Sequence, residues 1–431
     1  MDPKQRVREF LAAYRQLPED VDLKKCTDRM LQQMQLGLDG EESSLMMIPT
    51  YLSSSGATRL GEKVIAIDAG GTNLRTALVS FDENGKMQVS DLAKQPMLGV
   101  EKAMNKDEFI EGICQLVMPL LKHTDKIGFC FSFPCEIQPD KDGKIIRFNK
   151  DVKIIGAEGA MLGAEMKKWF REHGVEKEIS IAILNDTVAT LLGGPAIRDS
   201  RAVDGQIGLI VGTGANTAYS ENNEKITKAH LKEGGTMIIN MESAGFNGFE
   251  MGEFEKRMDQ ASNTPGVHPL EKCISGLYLG HVIGQTILQA SREGLFSPEN
   301  HIAELPEFSM ARVDAFLRNP YGDNLLANAC GNEEDVEIMY QFIESAMDRA
   351  ARLITVNLAA CIVKMDGGRR ASAPVRIVAE GTTILKGYSY FQRLDYFMRQ
   401  FVTNELGRHY QFVTADDANL AGSAIAVLLN S

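Results

Sequence analysis

The sequence predicts an α/β protein made of two similar lobes joined by a hinge. From about Val64 onward, short apolar segments typical of strands alternate with amphipathic helical segments, which indicates a mainly parallel sheet. At about Gly205 the same order starts again, since the segment QIGLIVGTGAN is similar to the earlier segment VIAIDAGGTN. Each segment is an apolar strand followed by a glycine-rich turn. No low-complexity linker separates the halves, which favours joined lobes over independent domains.

The elements along the chain support this division. The first sixty residues are predicted to be helical, with Val7, Phe10 and Leu11 on one face. The first α/β unit contains strands in VIAIDAGG, in LRTALVSF and in KMQVS, then a helix, the strand KIGFCFSFP, a second helix and the strand ISIAILND. The second unit contains a long helix from about Glu334 to Met365, the strand in APVRIVAEG and an apolar C-terminal helix. We therefore predict an N-terminal helical segment at 1–60, a small lobe at 61–204 and a large lobe at 205–414, with the C-terminal helix at about 415–431 packing back onto the small lobe.

Length and charge narrow the class of protein. The chain has 431 residues, which is room for two or three domains. It carries 46 Lys plus Arg against 58 Asp plus Glu, a formal net charge of -12. This charge disfavours nucleic acid and anionic membranes as main partners. The 44% hydrophobic and 24% charged residues are ordinary for a water-soluble globular protein and argue against disorder, collagen or coiled coil.

The cysteines and the N-terminal residues bear on the location of the protein in the cell. The seven cysteines are odd in number, scattered and mostly set among apolar residues, as expected for core residues in a reducing compartment. Their spacing does not predict a structural zinc site. The first residues, MDPKQRVREF, are charged and contain no apolar core of a signal peptide. These features predict a cytoplasmic protein.

The first segment with chemical meaning is DAGGTN, at the end of an apolar strand. A carboxylate at the position of Asp68 is costly unless it is solvated or lies near a cation, and its position suggests Mg²⁺. Gly70 and Gly71 would let backbone N–H groups approach phosphate oxygens, while Thr72 and Asn73 add neutral donors. Arg75 would add a charged contact. The alternative is an ordinary β-hairpin turn, in which Asn and Gly are common.

Gly212, Thr213 and Gly214 form a second glycine-rich turn at the start of the second half. Two such turns at the ends of equivalent strands would hold a triphosphate from opposite sides of a cleft. Taken singly, this turn is a weak signal. The chain contains no GxxxxGK[ST] segment, so a P-loop is excluded.

Asp186 follows the apolar strand ISIAIL and precedes a predicted helix. It is therefore expected at the carboxyl end of a parallel sheet, where α/β proteins bind their ligands. A carboxylate there would accept a proton from a substrate hydroxyl as that hydroxyl attacks phosphorus, whereas the alternative is a helix N-cap. Other polar residues at strand ends or in loops would suit a hydroxyl-rich ligand, although each alone is ordinary: Ser132, Asn149, Lys150, Asn216, Glu242 and Glu271.

With these residues in place, the chain resembles the hexokinases, which have the two-lobed actin-like ATPase (ribonuclease-H-like) fold with an interlobe cleft. The resemblance covers most of the chain. It is carried by five blocks in order: IDAGGTNLR, FSFP followed by the NK pair, LNDTVATLL, IVGTGAN and LEKCISGLYLG. The related ROK-type sugar kinases share the DxGGT turn but carry a cysteine-rich zinc loop, which this sequence lacks.

The resemblance implies transfer of a phosphoryl group from ATP to the 6-hydroxyl of a hexose, with glucose as the default substrate and Mg²⁺ as the metal. It implies that Asp186 is the catalytic base, that Lys150 assists catalysis or holds substrate, and that Asp68 binds the metal. The sugar site would contain Ser132, Phe133, Asn149, Lys150, Asn185, Asp186, Asn216, Glu242 and Glu271. The nucleotide site would contain Asp68, Gly70, Gly71, Thr72, Asn73, Arg75, Thr213 and Gly214, with Gly381 and Thr382 at adenosine. The expected partners are therefore a hexose and ATP, and the sequence does not indicate an oligomeric state.

The sequence departs from the family pattern at several positions. Asn149 stands where Thr is common before the lysine, and His268 stands where many members have Gln. Glu380 replaces the more usual Asp before the adenosine-site glycine, and the segment DANLAGS from Asp417 is less rich in glycine and serine than in the family. These changes bear on the identity of the sugar and on nucleotide affinity.

Two other classes of function remain open at this point. One is a catalytically silent sugar sensor, against which the retention of both Asp186 and Lys150 argues. The other is a polymerising or chaperone-like member of the same ATPase superfamily, against which the cluster of sugar-site residues argues.

Overall fold

The computed structural model describes residues 2–54, 59–148, 152–194, 202–231, 234–414 and 417–430. The strands are β1 (Ile48–Pro49), β2 (Val64–Ala69), β3 (Asn73–Phe81), β4 (Met87–Pro96), β5 (Met104–Asn105), β6 (Lys126–Phe131), β7 (Cys135–Ile137), β8 (Gly143–Ile145), β9 (Ile154–Ile155), β10 (Ser180–Leu184), β11 (Gln206–Val211), β12 (Ala215–Asn222), β13 (Thr236–Asn240), β14 (Val375–Glu380) and β15 (Tyr410–Val413).

The helices are α1 (Pro3–Ala13), α2 (Leu23–Asp39), α3 (Lys106–Val117), α4 (Leu162–Glu172), α5 (Asp186–Gly193), α6 (Glu253–Ala261), α7 (Pro269–Ile274), α8 (Leu279–Arg292), α9 (Met310–Arg318), α10 (Leu325–Asn328), α11 (Glu333–Lys364), α12 (Thr382–Lys386), α13 (Tyr390–Met398) and α14 (Ala418–Asn430). A π-helical segment, Arg399–Glu405, follows α13.

The strands form two main sheets that share one strand order. Among the described residues, the first sheet has the order β10-β6-β2-β3-β4, and the second has the order β15-β14-β11-β12-β13-β1. In each, the strand before a glycine-rich turn pairs antiparallel with the next strand and parallel with a later one, as β2 does with β3 and β6 and as β11 does with β12 and β14. The predicted α/β fold of two similar halves is therefore confirmed.

Burial explains why β2 and β6 lie inside the first sheet. Every residue of β2 is buried, including Asp68, and β6 is buried after its first residue. Strands covered on both faces read as continuous apolar runs, as VIAIDA and IGFCF do. β4 is at the edge of the sheet and largely exposed, which fits the polar residues in its sequence MQVSDLAKQP.

Two helices lie between the sheets. α5 packs against β11, β12 and β14 of the second sheet and against α14, which in turn packs on β2, β6 and β10 of the first. Glycines permit this close packing: a Cβ on Gly208 would lie 2.4 Å from the carbonyl oxygen of Thr187, and a Cβ on Gly422 would lie 1.9 Å from that of Ala189. Since α5 begins at Asp186, this packing fixes the position of that carboxylate between the lobes.

The N-terminal segment packs on the second lobe. α1 and α2 contact the long helix α11, and β1 extends the second sheet by pairing with β13. α1 and α2 contribute Phe10, Met30 and Met34 to the same hydrophobic core as α11. The predicted helical character is confirmed for α1 and α2. It is wrong for the described residues 41–54, which contain β1 and no helix, because they extend the second sheet instead. The domain limits at 60, 204 and 414 stay a prediction.

The lengths of the helices and the state of the cysteines bear on the class of protein. Over the described segments, every helix is too short or too polar to span a bilayer. All seven cysteines are free thiols.

Candidate active site

A cavity of about 300 Å³ brings the first glycine-rich turn and Asp186 together. It lies where β2 ends and α5 begins. Its lining consists of Asp68, Gly70, Gly71, Thr72, Asn73, Arg75, Lys94, Ser132, Asp186 and Asn419. The structure therefore places seven residues of the predicted nucleotide and sugar sites, together with the predicted base, around one space.

The first turn is a β-hairpin turn that also faces this cavity. The N–H of Gly70 donates to the carbonyl of Asn73 at 3.0 Å, which closes the turn between β2 and β3. The Asn73 side-chain amide donates to Thr72 Oγ1 at 2.9 Å. Since the turn lines the cavity, the hairpin alternative and the ligand-binding interpretation describe the same structure.

Arg75 is engaged by two carboxylates. Its Nε and Nη2 donate to Asp68 Oδ2 at 3.0 and 2.7 Å, and its Nη1 donates to Asp417 Oδ1 at 2.7 Å. Burial lowers the pKa of Arg75, but the charges and hydrogen bonds of Asp68 and Asp417 outweigh it and raise that pKa overall. The nearly buried Asp68 thus has the cationic neighbour that its position on an apolar strand requires.

Asp186 is the first residue of α5 and is not the N-cap. That role belongs to Asn185, whose Oδ1 accepts a hydrogen bond from the N–H of Thr187 at 3.0 Å. Asp186 Oδ1 accepts from the same N–H at 2.8 Å and from Thr187 Oγ1 at 3.3 Å. These contacts orient a carboxylate that lines the cavity.

A chain of amide side chains leads from Asn185 into the second lobe. Asn216 Nδ2 lies 3.5 Å from Asn185 Oδ1 and donates to Asn240 Oδ1 at 2.7 Å. Asn240 Nδ2 then donates to Glu242 Oε1 at 2.8 Å. Asn185, Asn240, Glu242 and Phe133 also border a second cavity of about 20 Å³. The network places acceptors and donors in fixed orientations, as recognition of several hydroxyl groups requires.

The carboxylates beside this network interact with one another. Burial raises the pKa of Glu242, and the charges of Asp186 and Glu271 add to this, against the hydrogen bond from Asn240 and the influence of His268. Glu271 Oε2 accepts from the N–H of Ala215 at 2.9 Å, and its other oxygen lies 3.7 Å from His268 Nδ1. Glu242, Glu271 and Asp186 therefore belong to one electrostatic neighbourhood.

The second glycine-rich turn does not line the 300 Å³ cavity. The N–H of Gly212 donates to the carbonyl of Gly214 at 2.8 Å, and Thr383 Oγ1 donates to the carbonyl of Gly212 at 2.9 Å. This turn and the segment of Gly381 and Thr382 are adjacent, because Ile210 of β11 is the register partner of Glu380. The predicted arrangement of two turns around one space is therefore not observed in this cavity, although each turn exists.

Glu380 lies at the end of β14, beside the second turn, and interacts electrostatically with carboxylates that line the cavity. Burial raises its pKa to about 7, opposed by the hydrogen bond from Thr190 and reinforced by the charges of Asp186 and Asp68. A carboxyl group that titrates near neutrality beside two other carboxylates is a feature of functional sites.

Three side chains of the site were missed by the sequence reasoning. Lys94 reaches the cavity from β4 as the register partner of Arg75, Asn419 reaches it from α14, and Asn240 joins the amide network from β13. Nothing in their local sequence distinguishes them from ordinary strand or helix residues. Asn149 and Lys150, which were predicted for the sugar site, lie outside the described residues.

Known proteins are similar to this chain along nearly its whole length. A hexokinase family model matches residues 206–429 and a second hexokinase model matches residues 7–195. The chain is 26% identical to hexokinase-1 of Schizosaccharomyces pombe, over 95% of this chain and 88% of that protein. It is 28% identical to hexokinase-2 of Solanum tuberosum, over 96% of this chain and 88% of that protein.

Solved structures show the same fold. A hexokinase from Schistosoma mansoni complexed with glucose has a TM-score of 0.74 and 21% identity, over 99% of this chain and 100% of that one. Another hexokinase crystal structure has a TM-score of 0.79 and 21% identity, over 99% of both chains. These matches confirm the two-lobed fold that the resemblance implied. With family models matching both halves and relatives aligned along nearly its whole length, the chain belongs to the hexokinase family.

Proposed function

We propose that this hexokinase transfers the γ-phosphoryl group of ATP to the 6-hydroxyl of glucose, with Asp186 as the general base. ATP-dependent phosphorylation of a hexose follows from membership of the family. The position of the hydroxyl, the choice of sugar and the residue roles are the proposed part. The observation that supports them is that Asp186 and the turn from Gly70 to Asn73 line one cavity.

Asp186 is suited to accept the hydroxyl proton. Its Oδ1 is held by the backbone and side chain of Thr187, so the carboxylate has a fixed orientation at the start of α5. Phosphoryl transfer passes through a loose transition state, so the protein contributes mainly alignment and charge stabilisation. A positioned base adds about 10² to 10⁴ in rate.

The sugar is proposed to bind beside Asp186, against the amide network. Asn185, Asn216 and Glu242 present fixed polar groups there, and Ser132 lines the cavity itself. Phe133 borders the smaller cavity, and Glu271 lies close to Glu242. Asn149 and Lys150 complete this set by resemblance alone. The Schistosoma mansoni structure of this fold holds glucose, which supports glucose as the first sugar to test.

The nucleotide phosphates are proposed to lie at the first turn, since its backbone and the cations Arg75 and Lys94 line the cavity. Thr213, Gly214, Gly381 and Thr382 would then contact the nucleotide from the second lobe. Mg²⁺ fits this donor set as an ion carried by ATP. Asp68 offers it a carboxylate, directly or through water, and Mg²⁺ usually takes one or two carboxylates together with substrate phosphates. When bound, the ion would neutralise phosphate charge.

The cytoplasm is the proposed location, supported by the seven unpaired cysteines, because disulfides form in oxidising compartments.

A coupled assay tests the proposed function. Purified protein is incubated with ATP, Mg²⁺ and a panel of glucose, mannose, fructose and glucosamine, while ADP and sugar phosphates are both measured. We expect sugar-dependent ADP release with formation of glucose 6-phosphate. Sugar binding without turnover would instead favour a sensor, and sugar-independent ATP hydrolysis would favour the polymerising or chaperone-like class.

A further inference from the structure

The guanidinium of Arg75 is the cation on the strand that follows the first glycine-rich turn, and it is already paired. Asp68 holds Nε and Nη2 through one oxygen, and Asp417 holds Nη1 at 2.7 Å. Asp68 is on the neighbouring strand, with Arg75 as its register partner, so that pair belongs to the sheet. Asp417 comes from a distant part of the sequence, at the turn before α14.

Asp417 differs from Asp68 in its surroundings. Its side chain is 45% exposed, whereas that of Asp68 is 10% exposed. Its backbone is left-handed, with φ 54, and its carbonyl accepts the N–H groups of Leu420 and Ala421 in the first turn of α14. The backbone of Asp417 therefore starts the helix. Within the described part of the chain, its carboxylate has Arg75 as its only hydrogen-bonding partner.

This pairing affects any anion that enters the cavity. The cavity lining contains two carboxylates, Asp68 and Asp186, and two cations, Arg75 and Lys94. Asp417 is not part of the lining. It nevertheless accepts a hydrogen bond from Nη1, which is the one guanidinium nitrogen of Arg75 that does not donate to Asp68. A phosphate oxygen that binds Arg75 must therefore displace Asp417 or share the guanidinium with it.

We propose that Asp417 sets the nucleotide affinity of this enzyme by competing with the phosphates of ATP for Arg75. The proposal rests on the proposed placement of the phosphates at the turn from Gly70 to Asn73. Asp417 acts through Arg75 and is not a catalytic residue. Its charge opposes nucleotide binding in the free enzyme and helps product ADP to leave.

The test is Asp417→Asn, which removes the charge and keeps a residue that tolerates left-handed backbone. We expect the KM for ATP at saturating glucose, and the Kd for ADP measured by calorimetry without sugar, to fall about 3- to 10-fold. The kcat and the KM for glucose stay within about 2-fold. The difference from wild type shrinks as salt is raised, because the effect is electrostatic.

Asp366→Asn is a matched control. Asp366 also has left-handed backbone, with φ 55, and its Oδ1 accepts from Arg408 Nη2 at 2.7 Å. Asp366 does not line the cavity, so its replacement is expected to leave nucleotide affinity unchanged. Asp417→Gly, which also suits a positive φ, separates loss of the charge from any effect specific to Asn. Thermal unfolding of each variant verifies that the protein remains folded.

A rise in the KM for ATP, or no change in Asp417→Asn and Asp417→Gly, overturns the proposal. A rise would mean that Asp417 holds Arg75 in the orientation that binds phosphate. Failure of the proposed function gives a different result, since wild-type protein would then form no sugar phosphate from ATP.

Discussion

Glu380 at the end of β14 accepts a hydrogen bond from Thr190 of α5, with 3.2 Å between Oε2 and Oγ1. The same hydroxyl lies 3.4 Å from Oδ1 of Asn419 on α14. This contact ties a strand of the second sheet to both helices that lie between the sheets. Because α5 begins at Asp186, a group that responds to pH is connected to the helix that carries the proposed base.

Glu380 is predicted to make the stability of the protein depend on pH. Its pKa is about 7 in the folded state because of burial, against an ordinary value of 4.5. The folded state therefore holds this proton over a range in which the unfolded state has released it. The wild-type protein then loses stability as pH rises through that range, by up to about 3 kcal/mol. Glu380→Gln has no such proton to lose.

Denaturant unfolding at about pH 5 and about pH 8 measures the effect of Glu380→Gln. We expect the variant to gain stability relative to wild type between these two values. The exposed Glu178→Gln removes the same charge elsewhere and is the control. A difference that stays constant with pH would show that Glu380 titrates alike in the folded and unfolded chain.

Asp186→Asn is predicted to damage turnover far more than sugar binding. Asn preserves the size of the side chain and an oxygen for the Thr187 N–H, but it cannot accept the hydroxyl proton. We expect kcat to fall by about 10² to 10⁴, with the KM or Kd for glucose changed only a few-fold. Asp107→Asn is a matched control, since Asp107 lies in the first turn of α3 and its side chain is 88% exposed. Equal losses in kcat and in sugar affinity would contradict the role of a base.

Glu242→Gln tests the sugar site. In the wild type, burial raises the pKa of Glu242, so its carboxylate takes up a proton at a higher pH than an exposed glutamate does. The KM for glucose is therefore expected to rise as pH falls toward this raised pKa, because a protonated carboxyl is a poorer acceptor. Gln keeps an oxygen for Asn240 but loses the charge, so its KM should be raised about 10- to 100-fold and vary less with pH.

The exposed Glu224→Gln, also in the second lobe, is the control for Glu242→Gln. Parallel pH profiles for Glu242→Gln and the wild type would show that another group produces the pH dependence.

The sequence was informative wherever chemistry follows a local pattern. Asp68 and Asp186 were identified because each ends or follows an apolar strand, and β2, β6 and β10 are parallel neighbours whose carboxyl ends meet at one edge. The repeated strand and glycine turn predicted two similar halves, and the shared strand order of the two sheets confirms this. The roles of the individual residues stay predictions.

The remainder of the site depends on contacts between distant segments. Asn240, Lys94 and Asn419 come from β13, β4 and α14, and their positions beside the site follow from sheet order and helix packing. The pairing of Arg75 with Asp417 likewise joins residues 342 positions apart. No local period or motif encodes such distances, so the sequence alone did not reveal them.

Lys272 is predicted to hold the segment that positions His268 and Glu271. Its side chain is 1% exposed, and its ammonium group donates to Asp259 Oδ1 at 2.6 Å and to the carbonyl of Thr264 at 2.5 Å. Asp259 also accepts the N–H of Gly266, so this pair fastens the chain between α6 and α7. Lys272→Met would leave the largely buried Asp259 without its cation. Breaking such a pair costs about 3 to 5 kcal/mol, which thermal or denaturant unfolding would measure.

The exposed pair of Lys24 and Asp28 provides the comparison for Lys272→Met, because Lys24→Met removes the same group from a surface helix. That change should alter stability by no more than about 0.5 kcal/mol. Since Glu271 belongs to the proposed sugar site, Lys272→Met should also raise the KM for glucose more than the KM for ATP. Equal changes in both KM values would mean that Lys272 supports the second lobe as a whole. A loss of stability as small as that of Lys24→Met would show that the chain between α6 and α7 does not depend on the ion pair.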